Sequence, residues 1–204
     1  MKTLAIECAT EACSIALFDG DALIASDHRV LGRGHAEHLV PMIAALPGKG
    51  VAERILVSRG PGSFTGVRIG IAVAGALSIA WKARVAGYPT LSLVAAMALD
   101  GHEGDTVTVC MAGGHGEWFV QDFGTGGLPA NTLASMTPAE AGARGALPVI
   151  AGSRASDLEM LLGRVAVSPT TLPDARHVQR LSPALLTDSV APIYGRGPDA
   201  RLPS

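Results

Sequence analysis

Apolar and polar positions sort the first half of the chain into short, clearly bounded elements. Leu4 to Ala9 and Ala12 to Phe18 read as two strands about the turn Thr10-Glu11, and Ala22 to Val30 as a third after the hairpin signal Asp19-Gly20-Asp21. Gly32 and Gly34 break that pattern. Leu39, Met42, Ile43 and Leu46 then step i, i+3, i+4, i+7, the stripe of an amphipathic helix, in which Pro41 must lie near the first turn or bend the axis. Ile55-Leu56-Val57 centres a strand from Arg54 to Ser58. A helix from about Val67 to Trp81, a strand from Arg84 to Tyr88 and a helix from Leu91 to Leu99 complete this half.

The second half is patterned less sharply. Gly101 to Asp105 reads as a linker, and Val107 to Met111 and Trp118 to Phe123 as strands paired across Gly113-Gly114-His115-Gly116. A helix from Pro138 to Ala143, a strand from Leu147 to Ala151 and a helix from Ser153 to Leu162 follow, before a tail rich in Pro and Gly. Two α/β lobes are expected, residues 1–100 and a smaller one over 101–204. Three antiparallel strands at the start of the first predict an actin/Hsp70/sugar-kinase-like (ASKHA) architecture with a reduced second lobe.

Composition narrows the function classes. The 204 residues are 48% hydrophobic and carry a formal net charge of -2, so no global basic field attracts a polyanion. Cys8, Cys13 and Cys110 are scattered without Cys-x-x-Cys spacing, which suggests small buried side chains in a reducing compartment. Glu7 interrupts the N-terminus before a leader-like apolar run develops, so the cytoplasm is the expected location. The run from Ile69 to Trp81 is short of the ~20 residues that cross a bilayer, and no membrane association is expected.

The candidate chemistry is sparse. Gly60-Pro61-Gly62-Ser63-Phe64-Thr65-Gly66 joins a strand to a helix, where Ser63 or Thr65 can cap the helix and its free N–H groups can hold a phosphate. It lacks the Lys-Ser/Thr of a Walker A loop, and a structural tight turn is the favoured reading. In the helix that follows, Gly66, Gly70, Ala74 and Ser78 make a ridge of small residues, and Val67, Ile69, Ile71, Val73, Leu77 and Ile79 cover the other faces. Such a helix is expected to be buried all round, by its own fold or by a partner. His35 and His38 lack a third ligand, so no metal site is expected. Glu7, with Thr10 and Ser14 across the turn, stands where a phosphate loop with hydrated magnesium would sit; a strand-end acid facing water is the favoured reading. No nucleophile, base and orienting group stand together, and neither Cys8 nor Cys13 has the context of an activated thiolate.

These segments resemble one known family. Glu7-Cys8-Ala9-Thr10-Glu11-Ala12-Cys13-Ser14 is similar to the Asp-Thr-Ser-Thr start of TsaB proteins. His35-Ala36-Glu37-His38-Leu39-Val40-Pro41-Met42-Ile43 resembles their His-Ser-Glu and Leu-Pro-Met-Ile segment, and Gly60 to Gly70 their most specific signature. Pro192-Ile193-Tyr194-Gly195-Arg196 resembles their closing Pro-x-Tyr-x-Arg. The resemblance is dense to about Leu99 and sparse beyond.

The resemblance implies a non-catalytic subunit that supports the catalytic paralogue TsaD and works with the ATPase TsaE to make threonylcarbamoyladenosine in tRNA. ATP and metal are then expected on the partner subunits and none on this chain, with tRNA reached through the complex. TsaD binds metal through a His-x-x-x-His pair, and the matching positions here are Thr90 and Val94, which cannot form that pair. The resemblance also implies a partner surface on the first-lobe helices, here Leu39, Met42 and Ile43 with Arg68, Ile69, Gly70, Val73, Ala74, Leu77 and Ser78; an apolar helix face awaiting TsaD leaves both a homodimer and a monomer open for the chain alone. Departures are Glu7 for Asp, Ala9 for a hydroxyl residue, and Ala112-Gly113-Gly114-His115-Gly116-Glu117 where many relatives read Asp-Ala-Arg-Arg-Gly-Glu. The competing readings are a small ASKHA-type kinase or ATPase, with Glu7 its one surviving carboxylate, and a metallopeptidase, which the missing histidines disfavour.

Overall fold

A computed structural model describes residues 1–100, 106–164 and 171–195. The expected linker at 101–105 and Arg196 lie outside these described residues. The first sheet is built from β1 (Lys2–Glu7), β2 (Ala12–Asp19), β3 (Ala22–Val30), β4 (Arg54–Ser58) and β5 (Arg84–Tyr88), in the order β3-β2-β1-β4-β5. β2 runs antiparallel to both β1 and β3, and β4 and β5 continue parallel to β1. Three antiparallel strands followed by two parallel crossovers form the first lobe of the ASKHA fold.

Alternation along β1 sorts the core. Leu4 and Ile6 point to the face covered by α1 (His35–Ala45) and α2 (Phe64–Trp81), while Ala5 points to the opposite face. There it meets Tyr88, Leu93, Ala175 and Val178, contributed by β5, by α3 (Thr90–Ala98) and by a 3-10 turn over Ala175–Arg180. Each fully buried Leu or Ile on such a strand stabilises the fold by roughly 1.5–3 kcal/mol.

The second sheet is formed by β6 (Val107–Gly114), β7 (Glu117–Phe123), β8 (Ala134–Met136) and β9 (Ile150–Ala151), in the order β8-β7-β6-β9. Helices α4 (Pro138–Arg144) and α5 (Ala155–Leu161) pack on one of its faces around Cys110, Trp118, Val120 and Leu158. α3 lies between the two sheets: Leu93 and Ala96 belong to the first core, and Leu91, Val94 and Ala95 to the second. A Thr137/Glu140 capping box starts α4, in which Thr137 Oγ1 accepts from the Glu140 N–H and the Glu140 carboxylate accepts from the Thr137 N–H.

Several elements differ from the pattern reading. Pro41 is the seventh residue of α1, well beyond its first turn. α2 starts three residues before Val67, because the Ser63 hydroxyl caps it by accepting from Gly66 N at 3.2 Å. β9 is shorter than expected, since Leu147 N donates to the Thr108 side chain instead of a strand neighbour. The three-residue β8 carries too little pattern to be foreseen. Past Thr171 the chain, expected in the second lobe, lies against the first: Ala175 N donates to Ser14 Oγ, and Thr187 pairs with Gly87.

α2 is the largest departure. It is long and apolar enough to cross a membrane, but only 22% of it is buried, through Gly66, Val67, Gly70 and Ala74. The expected burial on all sides is absent within this chain. Its ridge of small residues is the inward face, set against Ile6, Cys8 and Val57 of the first sheet. That is the setting of a helix docked on a sheet with its outer face left open.

Candidate functional site

The signature loop is shaped by backbone contact. A Cβ at Gly62 would overlap the carbonyl oxygen of Ala9, and one at Gly66 would overlap that of Cys8. Ser63 N donates to Ala9 O at 2.7 Å, and the Ser63 carbonyl and hydroxyl accept from Val67 N and Gly66 N. Ser63 N is thus spent in joining this loop to the β1–β2 turn, and Gly66 N in capping α2. On its other side Arg59 O accepts from Ile193 N at 2.7 Å, and Arg59 Nε donates to Ala191 O at 2.8 Å, tying the C-terminal segment to the loop.

Glu7, Thr10 and Ser14 come together as foreseen, with Glu7 and Ser14 closed off from solvent and Thr10 8% exposed at the edge of the cleft between the lobes. Glu7 is fully buried, not an acid facing water, and its Oε1 accepts from Ala9 N at 2.7 Å. Burial raises its carboxyl to about 7, with the Ala9 N–H offsetting only part of the rise. Thr10 Oγ1 accepts from Ala12 N and Ser14 Oγ from Ala175 N, so the returning C-terminal segment seals this corner. As a phosphate loop the cluster is closed by its own chain. His35 is buried with Nε2 3.2 Å from Ala12 O, apart from the exposed His38, and among the described residues no group of three His, Cys, Asp or Glu side chains could hold a metal. Thr90 and Val94 are both fully buried.

Five of the expected partner-surface residues face inward. Leu39, Met42 and Ile43 lie at 0–3% exposure in the first core, and Gly70 and Ala74 are pressed on the sheet. The ridge reading assigned the interface to the side that its small residues dock on their own strands. Arg68 is exposed, while Ile69, Val73, Leu77 and Ser78 are half-buried along the edges of the helix. The open surface consists of Ala72, Ala76, Ile79 and Ala80 of α2 with Val40, Pro41 and Ala44 of α1, and Ile79 is 83% exposed.

A cleft of about 1080 Å³ opens between the lobes, lined by Thr10, Glu11, Ser63 and Arg68 from the first and by His115 and Phe119 from the second. At its wall the Phe64 and Tyr194 rings lie 5.8 Å apart, and the Arg68 guanidinium sits 3.6 Å above Phe64 while donating to Tyr194 Oη at 3.0 Å. Pattern reading missed this stack, because Tyr194 is far from Arg68 in sequence. It also treated the cysteines as isolated, whereas the Cys8 and Cys13 sulfurs lie 3.6 Å apart across the hairpin.

Comparison with known proteins places these features. Residues 28–137 match the family model described as TsaD, tRNA N6-adenosine threonylcarbamoyltransferase. The tRNA threonylcarbamoyladenosine biosynthesis protein TsaB of Escherichia coli is 37% identical over 47% of this chain and 43% of its own length. The same-named protein of Haemophilus influenzae is 32% identical over 54% and 49%. The chain thus matches somewhat under half the length of these curated relatives. An uncharacterized protein of Mycobacterium tuberculosis is 28% identical over 97% of this chain and 93% of its own. Among solved structures, YeaZ from Pseudomonas aeruginosa superimposes with a TM-score of 0.76 at 27% identity, covering 95% of this chain and 99% of that one. With a family model matching more than half of its residues and named TsaB relatives over about half of it, the chain belongs to the TsaD family and, within it, to the TsaB group.

Proposed function

We propose that this chain is the TsaB-type accessory subunit of the tRNA N6-threonylcarbamoyladenosine machinery, docking on TsaD and supporting its catalysis without turning over substrate itself. The observation that carries this reading is the open apolar face of α2. The helix is held on the sheet by its small residues, and Ile79 and its neighbours wait for a second protein surface. On this reading the partner surface is the outer one: Arg68, Ile69, Val73, Leu77 and Ser78 with Ala72, Ala76, Ile79, Val40 and Pro41. The ATPase TsaE joins the assembly, ATP and metal belong to the partner subunits, tRNA is reached through the complex, and the chain works in the cytoplasm. Alone, the same face pairs two copies of the chain, because a C2 dimer reuses one self-complementary patch.

The sealed Glu7 corner supports the non-catalytic part of the reading over a kinase or ATPase, whose acid has to reach a metal-bound phosphate. Reconstitution tests it: the same organism's TsaD, TsaE and threonylcarbamoyl-adenylate synthase are assayed for modified tRNA with and without this chain. Modification should depend on the chain, while the chain alone consumes no ATP. Equal modification in its absence would remove the accessory role.

A further inference from the structure

We infer that Cys8 and Cys13 are a redox pair that closes reversibly to a disulfide and thereby shifts the seat of α2. This inference does not rest on the accessory reading. Cys8 directly follows β1, and Cys13 is the second residue of β2, one step beyond the Glu7–Ser14 pair of the antiparallel ladder. Directly opposed residues of such a ladder have Cα atoms about 4.5–5.5 Å apart, inside the ~4.4–6.8 Å that a disulfide spans. Both side chains turn to the same face, in one core with Leu4, Ile6, Ile15 and Leu17, and their sulfurs touch at 3.6 Å. Only a small shift separates that contact from a bond of about 2.05 Å.

The pair is polarised. A Cys8 thiol that donates to the Cys13 sulfur holds the Cys13 thiol below its usual range and raises its own. Cys13 is therefore the sulfur that attacks. Both cysteines are buried, but the turn between them, Ala9, Thr10 and Glu11, lines the wall of the open cleft, so a small oxidant such as hydrogen peroxide has a short way in. The Cys13 thiolate attacks one peroxide oxygen, the O–O bond breaks, and a sulfenic acid and hydroxide result. The Cys8 sulfur then attacks the Cys13 sulfur, the hydroxyl leaves, and the two hydroxides take up the two thiol protons. Two thiols and one peroxide thus give one disulfide and two waters, and a small-molecule thiol reverses the step by exchange.

The bond has a consequence because α2 rests on Cys8. The Cys8 carbonyl oxygen fills the space that a Cβ on Gly66 would need, and a Cβ on Gly70 would lie 3.5 Å from the Cys8 Cβ. A contact without slack passes on any displacement of Cys8. A metal is the weaker use of the pair, since no third His, Cys, Asp or Glu joins it among the described residues. Cys110, in the second-lobe core, is an internal control: burial pushes its thiol up to about 12.

The test treats the purified full chain with hydrogen peroxide in native buffer, quenches it in acid, and maps the cysteines by alkylation and mass spectrometry. Amide hydrogen exchange is read on the same samples. The expected result is a linked Cys8–Cys13 peptide, lighter than the dithiol by two hydrogens, with Cys110 still open to alkylation once the chain is unfolded. Exchange at Gly66 to Gly70 should become about tenfold faster, as intrusion into a packed contact implies, and dithiothreitol should reverse both changes. Cys110→Ala should behave as wild type, whereas peroxide should leave exchange in Cys13→Ala unaltered; the wild-type map decides the matter even if Cys13→Ala does not fold. The inference is overturned by free thiols at Cys8 and Cys13 after treatment, by a bridge that forms only in urea, by Cys13 driven to sulfinic acid without bridging, or by a bridge that leaves exchange in α2 unchanged.

Discussion

Gly66 lies so close to Cys8 that the carbonyl oxygen of Cys8 occupies the space a Cβ would need. One contact thereby joins the signature loop, the start of α2 and the end of β1. Gly66→Ala must push the helix off the sheet. The expected cost is about 1–3 kcal/mol of overpacking, read as a lower urea midpoint, whereas Gly75→Ala, which meets open space, should be neutral or slightly stabilising.

Ser63 makes a separable contribution. Its hydroxyl caps α2 through Gly66 N, and Ser63→Ala removes that acceptor. A loss of roughly 1 kcal/mol is expected, with Ser63→Asp restoring most of it. If Ser63→Ala and wild type unfold at the same urea concentration, the cap carries no weight.

Glu7 links stability to pH. Its carboxyl is raised from 4.5 to about 7 by burial, so the folded chain holds a proton that the unfolded chain has released across that window. Stability from this group is therefore fully present below about 4.5, falls as pH rises toward 7 and levels off above it. Glu7→Gln, which mimics the protonated form, should remove this part of the slope. Urea midpoints from pH 5 to 8 for both proteins give the comparison, and identical slopes would show that Glu7 does not titrate there.

The outer face of α2 separates docking from folding. Ile79→Lys changes an 83% exposed side chain and should leave thermal stability within a few degrees of wild type while abolishing co-elution with TsaD. Ala74→Trp, at a fully buried position on the sheet, should instead unfold the chain, so its loss of binding would be uninformative. Undiminished co-elution of Ile79→Lys would move the partner surface elsewhere.

Much of the first lobe was determined by local sequence. Short apolar runs, one of them ended by Asp19-Gly20, and a 3.6-residue stripe through Leu39, Met42 and Ile43 specify strands and a helix from short-range rules, and the observed β2, β3, β4 and β5 agree with them to within a residue. The small and large residues of α2 announced an apolar helix expected to be buried all round, and only 22% of it is buried within this chain. Which face turned inward was a tertiary decision, since the close approach of Gly66 and Gly70 to Cys8 depends on strands far away in the chain. The same holds for Ser14, whose hydroxyl is met by Ala175 N from 161 residues later, and for the stack of Arg68 on Phe64 beside Tyr194. Local pattern encodes the elements because their hydrogen bonds and side-chain periods are short-range. Burial of a given charge or face is set by whichever distant segment packs on it, and that information exists only once the chain has closed on itself.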